Sequence, residues 1–480
     1  MAVVTVRRWL SLLILCLLQI VSSQSDYEIP KVTIEAIKPK GFRVFIKDTP
    51  KLSLFAFQGR INKAITQTDV GDISGEVTAA TNGKWIYEDP NIQLKVGDVI
   101  YYYVFAVYDR KGYLKDNLSF TVTELVDVNS QAPVQTDCRP TATVVRIGTA
   151  CAGQTIFEDN FDSLREDLWQ IEQYIPDQPE YPFVSYQRPP NAQTVSVENG
   201  YLRIEPKLQQ EQPGFNNESL YSGTLNLFSG CTRTAEACRV RAWGASILPP
   251  VVSGRITSKT FAFTYGVVEV RAKLPLGDWL YPEILLESQL KKYGTLNYAS
   301  GVIRIAGALG NRELRLGSNE YGNKVLYGGP IMDLRCRDIL TGRKEIINNQ
   351  LWGDDFHTYS VRWAPDRITF TVDGEEWFRV DPSASGLQGR FNNFCEIPRS
   401  LLSLGSSIAP FDDHFQITIG VAAGGITEFT DNVINGDGRP KPWSNRNRKA
   451  SLNFWKDLPA WIPTWQQPAL VIDYIKVKAL

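Results

Sequence analysis

A pair of carboxylates is the first group of residues in this chain equipped for chemistry. Pro282-Glu-Ile-Leu-Leu-Glu287 sets Glu283 and Glu287 four residues apart, and residues i and i+4 of a strand share one face. Two carboxyl groups ~5–5.5 Å apart across a glycosidic bond are what retaining glycoside hydrolysis requires. The side chain between them on that face is Leu285, not an acid, so the pair reads as solvated or groove-lining acids. Other chemistries have less to stand on. There are two histidines: His357 falls in a strand pattern, and His414 follows Asp412-Asp413 in a loop. No Gly-x-Ser-x-Gly turn and no glycine-rich phosphate loop is present. The cysteines lack Cys-x-x-Cys pairs, which leaves zinc without a framework. No cofactor and no metal are expected.

Composition bounds what remains. A length of 480 residues allows two or three domains. The formal net charge of −1 provides no global field for nucleic acid or an anionic membrane. Aromatic residues make up 11% of the chain and include 12 tryptophans. Flat aromatic faces stack on pyranose rings, and β-sandwich cores also consume tryptophan, so both uses stay open for each one.

The N-terminus has the form of a secretory signal, residues 1–23. Arg7 and Arg8 precede the apolar run Leu10–Val21, which is shorter than the ~20 residues needed to span a bilayer. A secreted, extracellular chain with no transmembrane segment is expected. Beyond Cys16, six cysteines remain: Cys138, Cys151, Cys231, Cys238, Cys336 and Cys395. An even count in a secreted chain predicts three disulfides with the connectivity open. Cys231 and Cys238 are close enough to close a short loop, and a Cys138–Cys151 bond would tie down the linker. Asn117-Leu-Ser119 and Asn217-Glu-Ser219 are N-glycosylation acceptors.

The elements that must position any site are strands. Lys31–Ile37, Gly41–Ile46, Leu52–Gln58, Gly83–Tyr87 and Val99–Tyr108 are rich in β-branched and aromatic residues, with turn signals at Asn82-Gly83, Gly97-Asp98 and Lys111-Gly112. Short strands at this spacing predict an immunoglobulin-like β-sandwich over residues 24–125. Val99–Tyr108 reads as a central strand. Residues 126–153 read as a linker holding Pro133, Pro140 and two cysteines. Residues 154–480 read as a second all-β unit, with Asp373-Gly374 as a hairpin turn.

Both halves resemble known families. Tyr27-Glu-Ile-Pro-Lys31, Pro39-Lys-Gly-Phe42, Leu54-Phe-Ala-Phe-Gln-Gly59, Asn82-Gly-Lys-Trp85 and Leu94-Lys-Val-Gly-Asp98 resemble, in order, the N-terminal domain of insect β-1,3-glucan recognition proteins, also called Gram-negative-bacteria-binding proteins. That resemblance implies a glucan surface using Asp48, Lys84 and Trp85. Where such proteins carry Gly-Thr-Trp, this chain has Gly71-Asp-Ile73. The change implies a weaker contact, which tryptophan at 73 would strengthen.

The second half resembles the laminarinase-like branch of the family 16 glycoside hydrolases. The matching runs are Phe157-Glu-Asp-Asn-Phe161, Gly266–Pro282, Phe356–Trp363 and Ala469–Val477. The implied fold is a concanavalin-like β-jelly-roll sandwich, with Arg271, Trp279 and Trp443 near the cleft. Active members read Ser-Gly-Glu-Ile-Asp-Ile-x-Glu on the catalytic strand, and the corresponding positions here are Val302, Arg304 and Gly307. None can act as nucleophile or proton donor, so no catalytic residue is expected. Arg304 reads either as a buried, paired cation or as a donor to sugar hydroxyls.

Together the two resemblances imply a secreted, non-catalytic pattern-recognition protein of innate immunity. It would bind microbial β-1,3-glucan, with lipopolysaccharide and lipoteichoic acid as further envelope polymers. It would relay to extracellular serine proteases of a Toll or prophenoloxidase cascade. The alternative is an active secreted β-1,3-glucanase, and a third class is a matrix or adhesion protein.

Overall fold

Strand alternation builds the first unit. In β6 (Val99–Tyr108), Ile100, Tyr102, Val104 and Ala106 are buried while Tyr101 is exposed, so every second residue packs inward. The computed structural model describes residues 27–126 and 138–480 apart from 39, 67, 68, 70, 82, 91, 147, 178, 179 and 347–349. The expected signal peptide lies outside the described residues. Two antiparallel sheets form. One has the order β1 (Thr33–Ala36), β2 (Phe42–Lys47), β5 (Lys84–Asp89). The other runs β4 (Ile73–Val77), β3 (Leu52–Ile61), β6, β7 (Lys111–Thr121). Their inner faces meet over Phe42, Phe55, Phe57, Trp85 and Val104. This is an immunoglobulin-like sandwich, with β6 as an internal strand.

The chain divides into two compact units, Met1–Asp137 and Cys138–Leu480. The expected linker is therefore shorter than residues 126–153. Val126 already pairs with the first unit through Ala36 and Lys38. Residues 138–153 belong to the second unit for three reasons. Cys138 bonds Cys151. Val144–Val145 pairs with Phe263–Thr264. Thr141 and Thr143 hydrogen-bond Leu480.

The second unit is a jelly roll of two large sheets. Among the described residues, the nine-stranded sheet contains, in order, Trp169–Ile171, Arg255–Ser258, Phe415–Ala423, Leu280–Ser288, Val302–Gly307, Val325–Ile331 and Gly342–Glu345. The eight-stranded sheet contains Gly266–Lys273 between Leu470–Lys478 and His357–Ala364. Ile256, Ile284, Ile303, Ile417 and Ile419 from the first sheet and Val268, Val270, Val361 and Ile475 from the second fill the space between. The opposite face of the nine-stranded sheet is polar. The hairpin turn at Asp373-Gly374 has φ of 53° and 84°, the left-handed pair that a two-residue turn requires. The remaining disulfides are Cys231–Cys238 and Cys336–Cys395. No helix among the described residues is long and apolar enough to cross a membrane.

Candidate functional site

The strand Val302–Gly307 presents Val302 and Arg304 to the face away from the core. Ile303 and Ile305 go to the core, which sends Val302 and Arg304 the other way. The register against Val325–Ile331 slips between Arg304 and Gly307, and such a bulge re-aims the residues after it. A Cβ at Gly307 would lie 3.5 Å from Arg304 Cδ, so position 307 faces the same space. The outward positions of this strand are valine, arginine and glycine, and none of them is an acid.

Arg304 is a paired cation. Its guanidinium holds Glu428 at 2.7 and 3.0 Å, and Arg337 reaches the same carboxylate at 2.8 Å. Burial alone would raise the Glu428 pKa, but the fields and hydrogen bonds of the two arginines override it and hold the group down at about 2. Glu428 therefore carries no proton to donate near neutral pH. Arg337 also lies over the Tyr298 ring, whose hydroxyl donates to Glu180.

Glu283 and Glu287 are not solvated. Arg255, from the strand two places away in the sheet, donates to Glu283 at 2.6 Å and to Glu287 at 2.8 Å. Tyr186 donates to Glu283 at 2.8 Å, and Thr418 donates to Glu287 at 2.7 Å. Gly420 leaves room for this, since a Cβ there would sit 2.5 Å from Glu283 Oε2. One guanidinium neutralises one carboxylate. Burial pushes Glu283 up despite Arg255 and Tyr186. At Glu287 burial is outweighed by Arg255 and Lys291, and its pKa falls to about 2.

The other expected cleft residues separate. Trp279 and Trp443 do meet, with ring centroids 5.0 Å apart. Both are buried, and Phe429 packs on each. Trp443 donates to the Gly425 carbonyl, so the two rings form structural floor. Beside Trp279, a cavity of about 490 Å³ is lined by Asp278, Arg312, Glu313, Asn435 and Gln466. Asp278 there is raised to about 6 by burial. Arg271 is not at the cleft. It sits in the eight-stranded sheet on the side away from the core, paired with Asp473 and stacked over Phe356.

In the first unit, Trp85 is 3% exposed and donates its indole N–H to Asp48 at 2.7 Å. Its ring belongs to the core and offers no open face for a sugar. Ile73 is fully buried, so tryptophan at 73 would enter the core and not enlarge a surface. Lys84 points out from the β1–β2–β5 sheet and lies 4.2 Å over Phe45. Phe45, Lys47, Lys84 and Ile86 share that outer face through the pairs Phe45↔Ile86 and Lys47↔Lys84. Phe45 and Lys47 escaped the sequence reading, although the alternation of Phe42–Lys47 places both outward. Asn117 and Asn217 are both exposed.

Residues 28–142 match the family described as carbohydrate binding domain (family 32), and residues 231–413 match glycosyl hydrolases family 16. A β-1,3-glucan-binding protein of Hyphantria cunea is 60% identical over 466 residues, covering 95% of this chain and 97% of its own. The chain belongs to the β-1,3-glucan-binding protein family. β-1,3-Glucan-binding protein 1 of Manduca sexta is 38% identical over 98% of this chain and 99% of its own. The family extends to Gram-negative bacteria-binding protein 3 of Drosophila melanogaster, which is 33% identical over 95% of each chain.

Proposed function

We propose that this chain is a secreted, non-catalytic recognition protein that binds microbial β-1,3-glucan. The observation that carries the reading is the cleft strand. Its positions Val302, Arg304 and Gly307 carry no acid, and Arg304 is held by Glu428. Membership of a family named for glucan binding supplies the ligand. Capture takes place on the outer face of β1–β2–β5. Lys84 and Phe45 make the contact there, and Asp48 and Trp85 hold the strand from beneath. The second unit adds avidity on a repetitive polymer by raising the effective concentration of each site. It also recruits extracellular serine proteases.

The test pairs two measurements on the purified protein. It should sediment with insoluble β-1,3-glucan and release no reducing sugar from laminarin. Release that disappears in Glu283→Gln or Glu287→Gln would overturn the non-catalytic reading. Failure to sediment would overturn the glucan reading.

A further inference from the structure

We propose that the outer face of the β4–β3–β6–β7 sheet seats the chain's own N-glycan, carried by Asn117 and packed on the rings of Tyr101 and Tyr103. β6 sends Ile100, Tyr102, Val104 and Ala106 into the core, so Tyr101, Tyr103 and Phe105 stand in a row on the opposite side. Across the sheet they face Arg60, Gln58 and Ala56 of β3. The Tyr103 hydroxyl donates to the Asp69 carbonyl at 3.3 Å, which fixes that ring. Tyr101 is 37% exposed. Among the described residues, no other aromatic ring packs on any of the three.

The acceptor Asn117-Leu-Ser119 lies on β7, the neighbouring strand, and the register decides which way it points. Tyr102 is opposite Leu118, and Val104 is opposite Lys115. Tyr102 and Val104 are inward residues of β6, so Leu118 and Lys115 share their side. Between them, Asp116 and Asn117 together oppose the single residue Tyr103. This is a β-bulge on an outward position. Ser119 opposite Tyr101 and Leu114 opposite Phe105 also turn outward. Asn117 has φ of 54°, a left-handed conformation that asparagine tolerates better than most residues. The residue is exposed, and its Nδ2 donates to Asp116 Oδ1 at 3.2 Å.

Strand spacing puts the sugar on the rings. Neighbouring strands are ~4.8 Å apart and alternate residues on one strand ~6.5–7 Å. A pyranose attached at Asn117 therefore meets Tyr103 directly across and Tyr101 one alternate residue along. Glycosylation joins Nδ2 to C1 of the first N-acetylglucosamine. The C1–O bond to the donor's lipid diphosphate breaks, the lipid diphosphate leaves, and Nδ2 gives up one proton. One N–H remains, so the bond to Asp116 survives and orients the linkage. The apolar C–H face of the sugar then stacks on the flat rings. β7 is also the last strand of its sheet. Open edges invite pairing with other chains, and bulge and glycan together block this one. The face shares no residue with the Lys84 and Phe45 surface on the other sheet, so it does not depend on the glucan reading.

The test uses the full-length protein secreted from cultured eukaryotic cells. Peptide mass spectrometry should find a glycan on Asn117, and an unmodified Asn117 would overturn the proposal. Ser119→Ala removes the acceptor and keeps asparagine at its left-handed position. Nitration of Tyr101 by tetranitromethane should then run severalfold faster than in wild type, and an equal rate would overturn the proposal. Enzymatic release of the glycans should lower the melting temperature of the first unit by about 4–8 °C in wild type. In Tyr101→Ala it should lower it much less, because the contact is already gone. Any contribution from Asn217 is common to both proteins and cancels. Equal shifts in the two would assign the glycan to solvent. Sedimentation with insoluble β-1,3-glucan should not fall in Ser119→Ala, and a fall would give this face to the polymer instead. Wild-type protein that carries the glycan and protects Tyr101 but ignores glucan would sink the glucan reading and leave this one standing.

Discussion

Replacing Arg255 with methionine removes the guanidinium shared by Glu283 and Glu287. The three side chains are 8%, 12% and 18% exposed, so neither carboxylate can recover its hydration. The fall of the Glu287 pKa from 4.5 to about 2 corresponds to about 3 kcal/mol at ~1.4 kcal/mol per pKa unit. Stripping one partner from a buried pair costs about 3–5 kcal/mol. For a unit the size of Cys138–Leu480, an unfolding entropy of roughly 0.7 kcal/mol/K converts this to a fall of about 4–7 °C in melting temperature. The sign with pH follows from linkage. Glu287 has a folded pKa below its unfolded value, so its contribution is complete above about pH 4.5 and is lost as pH falls toward 2. Glu283 is shifted upward, so it favours the fold while protonated and opposes it as pH rises. In the methionine variant both carboxylates favour their protonated forms. The gap between wild type and variant is therefore widest at pH 7 and narrows on acidification. Calorimetry at pH 7 and pH 3 measures it. Arg255→Met/Glu283→Gln/Glu287→Gln should recover most of the loss, because no buried charge is left. Equal melting at pH 7, or a gap that does not change with pH, would refute the reasoning.

Three further outcomes follow from the structure. Glu428→Gln leaves Arg304 and Arg337 facing each other and should lower the melting temperature at pH 7, with the deficit shrinking toward pH 2 in calorimetry. Trp85→Ala should cost about 3–5 kcal/mol and unfold the first unit, whereas Lys84→Ala should leave urea unfolding unchanged and weaken sedimentation with insoluble β-1,3-glucan. Ile73→Trp should destabilise the first unit by about 1–3 kcal/mol through overpacking. A glucan pull-down should show no gain from it.

Strand positions were legible because period-two alternation is local. Val99–Tyr108 was read with the bounds the structure gives, and Leu52–Gln58 fell three residues short of Ile61. Which face of a strand turns inward is a different matter. Lys84 and Trp85 are neighbours, so they must point to opposite sides of the sheet, and matching both to one surface ignored the pleat. Arg271 was misplaced because the sheet to which a strand belongs is decided by pairing with residues some 200 positions away, at Leu470–Lys478. The partners of Arg304 were hidden for the same reason: Glu428 arrives from a loop and Arg337 from the single-turn helix Arg337–Leu340, and neither carries a periodic signal. The short disulfide loop Cys231–Cys238 was readable from spacing, but Cys336–Cys395, 59 residues apart, was not.

The Arg304–Glu428–Arg337 cluster makes it hard to place acids on the cleft strand one step at a time. Putting aspartate at 304 takes away one of the two guanidiniums that keep Glu428 ionised and brings a second acid toward it. Glutamate at 307 adds a third. Each single change therefore meets unbalanced negative charge before any gain in chemistry exists, and only a coordinated set that also replaces Glu428 escapes it. The ion cluster acts as a ratchet: with the clamp in place, folding stability itself opposes the arrival of carboxylates at these positions.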